Sequence, residues 1–599
     1  MGLSQPMAND GGECEETVES IRPAGPEHPL QRCLRYIFTT TGGCCLICLF
    51  CAAIVIWAKR YFIISDGMSY LDIASEVNRG DFAALGNPYW SPAYPGLIAV
   101  FILLFRPSPA WEVPLIQLTN FFIFLLALST FTLFFRSWTE SIPEFEKASD
   151  KDKSLLRLFA FASFFCFTFS LIPLQLTTPD VLVEAVVLLL AAWGLRVTRH
   201  DAGIKQFIIL GALLGAGIYV KAALFPLAFA FIALLFIVLM RRSKLHRSKH
   251  LVHLGATALM CGVVATPLIV CMSVEQGRFT TGETGRLNYV WNVDGVTPYH
   301  VGWTGDTPAE YGTPLHGPRK LMESPTVLEF ATPVAGTYPL WHSPAYWYAG
   351  IKPVISLRKQ ILAIRTSVHQ FVKIAVGLGG FVGGAVLLLV MGMRKSKSTR
   401  PLRFSPLLVL WPLTALLMYG AVTVEGRYVG AFLLLLCLEL YGVLVFRVER
   451  RAAIAVCAIA LAVTMVPVVI SISGSLRASV KQLRNPKDEG YIDVGKNLVS
   501  LGLQPGDQVA VIGYAKNCYY ARYGRLRIVA QIPNSDEFWS LSEVEAKRVE
   551  DRLQSIGVKA VIAVDRPVGN PWSGWTQVGR SEGTAISVHP LGQANVAAN

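Results

Sequence analysis

Charge is what this chain has least of: of its 599 residues only 16% are Asp, Glu, Lys or Arg, while 53% are hydrophobic. Soluble domains carry roughly a quarter of charged residues, so a wholly soluble or disordered chain is excluded. Disulfides are also missing where they would be most useful. The stretch after the last apolar run holds one cysteine, Cys518, so no disulfide framework supports it on an oxidising side of a membrane. The same stretch has neither a GxGxxG nor a GxxxxGKS pattern, and nothing in it calls for a nucleotide. No internal repeat occurs, which removes solenoids and weakens the case for an inverted-repeat transporter.

What is present is apolar sequence in runs of about 20 residues, the length that crosses about 30 Å of hydrocarbon. These runs recur from Tyr36 to Ile472, at 36–58, 113–135, 155–173, 181–195, 204–218, 223–240, 251–272, 366–393, 403–421, 427–446 and 452–472, with a weaker one at 93–105. The net charge of +13 sits largely in short clusters between runs, RRSKLHRSKH (241–250), RKSKSTRPLR (394–403) and RVERR (447–451). That is a topology signal and not a nucleic-acid footprint. Lys and Arg mark cytoplasmic loops, and these three clusters agree when the runs between them are counted. The loops 59–92 and 273–365, the turn 177–180 and the tail then share the extracytoplasmic side, provided that 93–105 does not cross; Pro92 and Pro95 at its start suit a re-entrant piece.

Residues 1–35 read as a polar, disordered cytoplasmic leader before a retained anchor, because no cleavable signal pattern precedes the first run. CCLICLFC (44–51) has the look of a metal motif but lies inside an apolar run, where packing explains it better than zinc. The tail, 473–599, alternates helical and strand patterns: a helix near 488–502, strands at 508–513 and 525–532, a helix at 537–556 and a strand at 559–564. A small layered α/β unit is expected.

The chemistry-bearing residues cluster at one membrane boundary. SDGMSYLDIA (65–74) places Asp66 just after the first run, with Tyr70 and Asp72 following, and NPYWSPAYPG (87–96) comes next. A carboxylate at a membrane boundary is expensive unless it is used. Asp66 could accept a proton from a hydroxyl or ligate a divalent cation; the plainer alternative is a first-turn helix acid. TPD (178–180) opens another apolar helix on the same side with Asp180, and Glu184 lies one turn further on. Lys221 in VKAALFP and Arg427 in VEGRY, beside Glu425, supply cations suited to a phosphate; a snorkelling lysine and a structural ion pair are the ordinary alternatives. The 273–365 loop is rich in Trp, Tyr, His, Gly and Pro, which suits either sugar stacking or a headgroup-level cover. Its His300, His316 and His342 are too widely spaced to imply zinc.

These motifs, in this order and on one side, resemble the integral-membrane GT-C glycosyltransferases, nearest to the protein mannosyltransferase and aminoarabinose transferase group, over roughly residues 36–472. The fold class implied is an α-helical polytopic membrane protein, a GT-C-like bundle of about 11–13 transmembrane helices followed by the small extracytoplasmic α/β domain. The resemblance also implies inverting transfer of a sugar from a polyprenyl-phosphate donor to a hydroxyl-bearing acceptor (protein, lipid or glycan), with Asp66 and Asp180 catalytic. Lys221, Arg427, Tyr70, Asp72 and Glu425 would bind substrate. One departure stands out: many relatives have an acidic pair in the first loop, whereas Gly67 follows Asp66 here, which puts metal binding by Asp66 and Asp180 in question more than catalysis. The partners implied are the lipid-linked sugar, the acceptor and the bilayer, with no nucleic acid. Two rivals make different demands. A surface-polysaccharide polymerase or ligase would keep its essential charges mainly in the large loop, and a non-enzymatic transporter would place them near mid-span.

Overall fold

The computed structural model describes residues 40–199, 202–242, 247–296, 308–330, 337–395, 403–484, 490–513, 515, 518–567, 572–581 and 583–591. The leader 1–35 and His300 lie outside the described residues. A helix stands at every apolar run. Seven described helices are long and apolar enough to cross a membrane, or up to eight if a bent pair counts as one span. Three shorter apolar helices, Ala93–Phe105, Ile204–Val220 and Pro406–Gly420, pack with them, as does Asp180–Val197.

The bundle core is aromatic: Phe124, Phe131, Phe134 and Phe164 are fully buried and meet ring to ring, with Phe131 and Phe164 stacked 4.5 Å apart, and Phe159 stacks on Tyr441. Its two deeply buried acids are satisfied. Glu184 accepts from Thr168 Oγ1 at 2.9 Å, and Glu439 accepts from Trp138 Nε1 at 3.0 Å and from the Ser405 backbone N–H, capping the helix that starts at Pro406. Glu184 thus serves the core and not the site one turn above it.

Helices Ile204–Val220 and Arg247–Glu275 approach closely through Gly211 and Gly215. A Cβ there would lie 2.3 Å from the Thr257 carbonyl oxygen and 2.6 Å from that of Cys261. Small residues four apart let backbones touch in a medium that gives no hydrophobic drive to association. Gly215→Leu should therefore lower the thermal transition of the detergent-purified protein by an amount equivalent to about 1–3 kcal/mol, whereas Gly255→Leu, which faces open space, should change it little.

The run at 366–393 is not one straight span. The chain bends by 81° between Leu357–Gly377 and Gly379–Lys395. The first helix carries Arg358, Lys359, Arg365, His369 and Lys373 among exposed Ile361, Leu362, Val368 and Val372. That composition favours lying along an interface over crossing it. Helix Ala93–Phe105 does not traverse the bundle either: Trp90 and Ser91 before it line the central cavity, and Arg106 after it meets the tail on the same side.

The last long helix, Arg450–Arg484, continues through the expected boundary near 472. Beyond it the tail and part of the 273–365 loop form one seven-stranded mixed sheet: β1 (Arg319–Met322), β2 (Val327–Glu329), β3 (Gln508–Ile512), β4 (Arg527–Ile532), β5 (Ala560–Val564), β6 (Thr576–Ser581) and β7 (Thr584–Pro590), in the order β1-β2-β4-β3-β5-β7-β6. The strands read from sequence are β3 (Gln508–Ile512), β4 (Arg527–Ile532) and β5 (Ala560–Val564), mutually parallel through β3. Strict alternation sends Val509 and Val511 to one face and Ala510 and Ile512 to the other. Helix Gly490–Ser500 covers the first face and Glu543–Ser555 the second. Four strands were not legible. β6 (Thr576–Ser581) and β7 (Thr584–Pro590) extend one edge, while β1 (Arg319–Met322) and β2 (Val327–Glu329) come from the 273–365 loop and extend the other. Loop and tail therefore form one layered unit over one end of the bundle.

Candidate active site

Three side chains, making five hydrogen bonds, bring the first loop and the segment just before the 177–180 turn together. From helix Glu112–Thr139, Gln117 Nε2 donates to the carbonyls of Phe62 (2.8 Å) and Gln175 (2.9 Å), and Asn120 Nδ2 donates to those of Leu174 and Leu176. Tyr94 closes the set by donating to Asn120 Oδ1 at 2.7 Å. The resulting contact has no spare room: a Cβ on Gly67 would sit 2.0 Å from Thr177 Oγ1. Position 67 has no room for a larger side chain because the Asp66 helix, Ser65–Asn78, lies directly against the turn that carries Asp180.

This contact sets two carboxylates around one guanidinium. Arg427 Nη1 stands 3.6 Å from Asp66 Oδ2 and 3.6 Å from Asp180 Oδ2, while its Nε pairs with Glu425 Oε2 at 2.6 Å. Lys221 Nζ, at the end of helix Ile204–Val220, pairs with Asp180 Oδ1 at 2.5 Å, and Thr178 Oγ1 donates to Asp180 Oδ2 at 2.8 Å. Tyr428 lies beneath both cations, its ring 4.1 Å from Lys221 Nζ and 5.0 Å from Arg427 Cζ. The two acids differ in access: the Asp180 side chain is 3% exposed and that of Asp66 19%. Asp180 is committed to its neighbours, whereas Asp66 faces open volume.

That volume is a cavity of ≈ 690 Å³ lined by Asp66, Tyr70, Asp180, Lys221, Glu425 and Arg427. Of the residues expected to be catalytic or to bind substrate, only Asp72 stands elsewhere. It points to the opposite side of its helix, fully buried, and pairs with Arg522 of the tail. The six-residue offset from Asp66 turns a helix by well over one and a half turns, so the two acids cannot share a face.

The aromatic roof was not legible residue by residue. Trp341 Nε1 donates to Asp66 Oδ1 at 3.3 Å, and its carbonyl accepts from Trp90 Nε1 at 3.0 Å and from Ser69 Oγ. Asn87 holds the NPYW turn by accepting from the Tyr89 and Trp90 backbone N–H groups, and its side-chain amide donates to the His342 carbonyl. Trp291 stacks on Trp341 at 6.2 Å, and Tyr89 completes the wall. The histidines are not gathered: His316 stacks on Tyr346, and burial holds His342 down at about 4. Among the described residues no group of three or more His, Cys, Asp or Glu is arranged to hold a metal ion.

The cavity also has a definite end of the bundle. Helices Asp180–Val197, Leu224–Arg242 and Gly426–Leu444 begin at it, while Ile204–Val220 and Pro406–Gly420 finish at it. Following Leu224–Arg242 and Gly426–Leu444 away from the cavity leads to the basic clusters at 241–250 and 447–451. Arg241, 247–250 and 447–451 stand at the far end.

A polytopic bundle with a charged cavity beneath an interhelical first-loop helix, capped by a large loop and a C-terminal unit, is the GT-C fold, and the chain has that fold. More particularly, the family model for dolichyl-phosphate-mannose-protein mannosyltransferase matches residues 150–269, the segment that contains Asp180 and Lys221. The apo crystal structure of ArnT from Cupriavidus metallidurans superposes with a TM-score of 0.50 at 12% identity, covering 91% of this chain and 97% of that one. The structure of the same enzyme bound to undecaprenyl phosphate gives 0.49 at 13% identity, with the same coverage. The Archaeoglobus fulgidus oligosaccharyltransferase gives 0.42 at 12% identity, over 86% of this chain and 68% of that one. No curated protein matches the chain by sequence.

Proposed function

We propose that the chain is a membrane glycosyltransferase that moves a sugar, with inversion, from a polyprenyl-phosphate donor to a hydroxyl-bearing acceptor at the extracytoplasmic face. The observation that carries this reading is Arg427 held between Asp66 and Asp180, with Lys221 on the far side of Asp180. A donor phosphate entering the cavity takes over the two cations, which are pre-aimed and need no reorganisation during reaction. Asp66, released from Arg427, then accepts the acceptor's hydroxyl proton as its oxygen attacks the anomeric carbon from the face opposite the phosphate. The anomeric C–O bond breaks, and the electron pair leaves with the phosphate onto Lys221 and Arg427. Asp180 keeps both cations in place. Val220, Phe225 and Met418 offer apolar wall to the prenyl chain, and Tyr89, Trp291 and Trp341 offer ring faces to the sugar.

The description of the matched mannosyltransferase family supports a lipid-phosphate donor. The orientation rests on the basic clusters at the far end of the bundle, which mark a cytoplasmic face. Every described residue that the 273–365 loop gives to the cavity is uncharged, which weighs against the polymerase or ligase. The acids lie at helix ends, which weighs against a transporter. A divalent cation fits poorly: the oxygens of Asp180 are already taken by Lys221 and Thr178, and a metal between Asp66 and Asp180 would stand where the guanidinium of Arg427 does.

The test is turnover of a panel of radiolabelled polyprenyl-phosphate sugars by purified protein, with a membrane extract as acceptor and with or without EDTA. Donor consumption that survives EDTA is expected; failure of folded protein to consume any polyprenyl-phosphate sugar would sink the reading. Lys221→Met should raise the donor KM by about ten- to a hundredfold, the worth of one charge-assisted hydrogen bond, with a smaller change in kcat. Lys221→Arg should recover part of that affinity.

A further inference from the structure

A second cavity, of ≈ 520 Å³, opens where the tail meets helix Ala93–Phe105, and five arginines line it: Arg79, Arg106, Arg522, Arg525 and Arg527. Two are neutralised. Arg79 pairs with Glu76, and Arg522 with Asp72 and Glu112. Arg106, Arg525 and Arg527 are exposed and make no ion pair among the described residues. Three unneutralised guanidinium groups around one groove repel each other, and an anion seated among them would relieve that repulsion.

Location narrows the anion. The groove lies at the cavity end of the bundle, the side remote from the basic clusters, where Lys and Arg are not favoured by the topology rule. The rest of its wall is mixed: Ile102, Leu103, Pro107 and Pro505 are apolar, Ser75 and Asn78 are polar, and the one carboxylate, Glu112, is already paired with Arg522. The same helix leaves Leu97, Val100, Leu104 and Phe105 exposed, an unpartnered face next to the basic pocket. A free phosphate or a soluble acidic peptide would have no use for that face. A lipid would use both: guanidinium forks match phosphate oxygens in pairs, and the exposed helix face is of the kind that acyl chains cover.

We propose that this groove seats the phosphate headgroup of an anionic membrane phospholipid, with its acyl chains lying along the exposed face of helix Ala93–Phe105. The inference does not depend on the sugar-transfer reading. It has a structural corollary, because Ser75 and Asn78 on the groove floor belong to the same helix as Asp66. Nine residues of helix separate Asp66 from Ser75, about 14 Å of rise, so a bound lipid would brace the far end of the catalytic helix.

The experiment is lipid retention by the purified full chain in phosphatidylcholine nanodiscs doped with phosphatidylglycerol, read by native mass spectrometry. The wild type should retain phosphatidylglycerol in preference to phosphatidylcholine. The triple variant Arg106→Gln, Arg525→Gln, Arg527→Gln should weaken that retention on the order of a hundredfold, at about fivefold per arginine near a charged interface. Lysine at the same three positions should preserve most of it, and the single Arg106→Gln, which leaves the tail untouched, should show a partial loss. Equal retention of the two lipids by the wild type would overturn the proposal, as would undiminished phosphatidylglycerol in the triple glutamine variant. Displacement of the lipid by soluble glycerol phosphate would also overturn it, by showing a site for phosphate alone.

Discussion

Asp66→Asn should leave the protein folded and inserted while lowering turnover of its lipid-linked sugar by about 10²–10⁴-fold, the usual contribution of a positioned general base. Asparagine keeps the shape of the side chain and can still accept from Trp341 Nε1, so binding should survive and kcat should carry the loss. Asp180→Asn is expected to behave differently. Asp180 is enclosed by Lys221, Thr178 and Arg427, and its removal frees two cations instead of removing a base. The variant should lose about ten- to a hundredfold, distributed between KM and kcat, because the cations shift from their aimed positions. Single-turnover assays at saturating donor separate the two cases. If Asp66→Asn turned over at the wild-type rate, the proton acceptor would have to be another group, and the proposed mechanism would fail even with the fold intact.

Much of this site was legible because membranes make polar residues conspicuous. Asp66, Asp180, Lys221 and Arg427 stand out against apolar runs since each costs energy at a bilayer boundary, and counting spans put all four at one end. The bundle was legible for the same reason: a 20-residue apolar run has few other uses. What stayed hidden depends on tertiary contact. Nothing local distinguishes Trp341 from the other aromatics of its loop, and it was picked out only by the fold that sets its indole against Asp66. β1 and β2 carry three or four residues each and join a sheet whose other strands begin nearly 180 residues later, so no nearby pattern announces them. The bend at Leu378 is instructive too: it falls between Gly377 and Gly379 within continuous apolar sequence, where hydropathy alone reads a single span. Asp72 was grouped with Asp66 by proximity in sequence, and helix geometry separated them.

The partner that claimed Asp72 leads to the second large effect. Arg522, from the five-residue helix Tyr519–Tyr523 of the tail, is inserted between two elements of the bundle. It pairs with Asp72, donates to Ser75 Oγ at 2.7 Å and holds Glu112 through Nε at 2.8 Å and Nη2 at 3.2 Å. Asp72 and Glu112 raise Arg522 above its ordinary range, overcoming the burial that opposes its charge. Burial also lifts Asp72, from 3.8 to about 7, which opposes its charge despite that same guanidinium. Removing the cation alone leaves two buried acids without compensation, so Arg522→Met should destabilise the tail-to-bundle contact by about 3–5 kcal/mol. Hydrogen exchange in helices Gly490–Ser500 and Ser65–Asn78 reports it directly. The triple change Asp72→Asn, Glu112→Gln, Arg522→Met removes the charges together and should restore most of the loss; a triple variant no more stable than Arg522→Met would show that the contact is held by something other than this ion cluster. The pH dependence has a fixed sign. A carboxyl whose folded value lies above its unfolded one binds its proton more tightly when folded, so Asp72 makes the wild-type contact less stable as pH rises from about 4 to about 7. Without Arg522 the folded value rises further, and the decline in the methionine variant should continue above pH 7, where the wild type has levelled off.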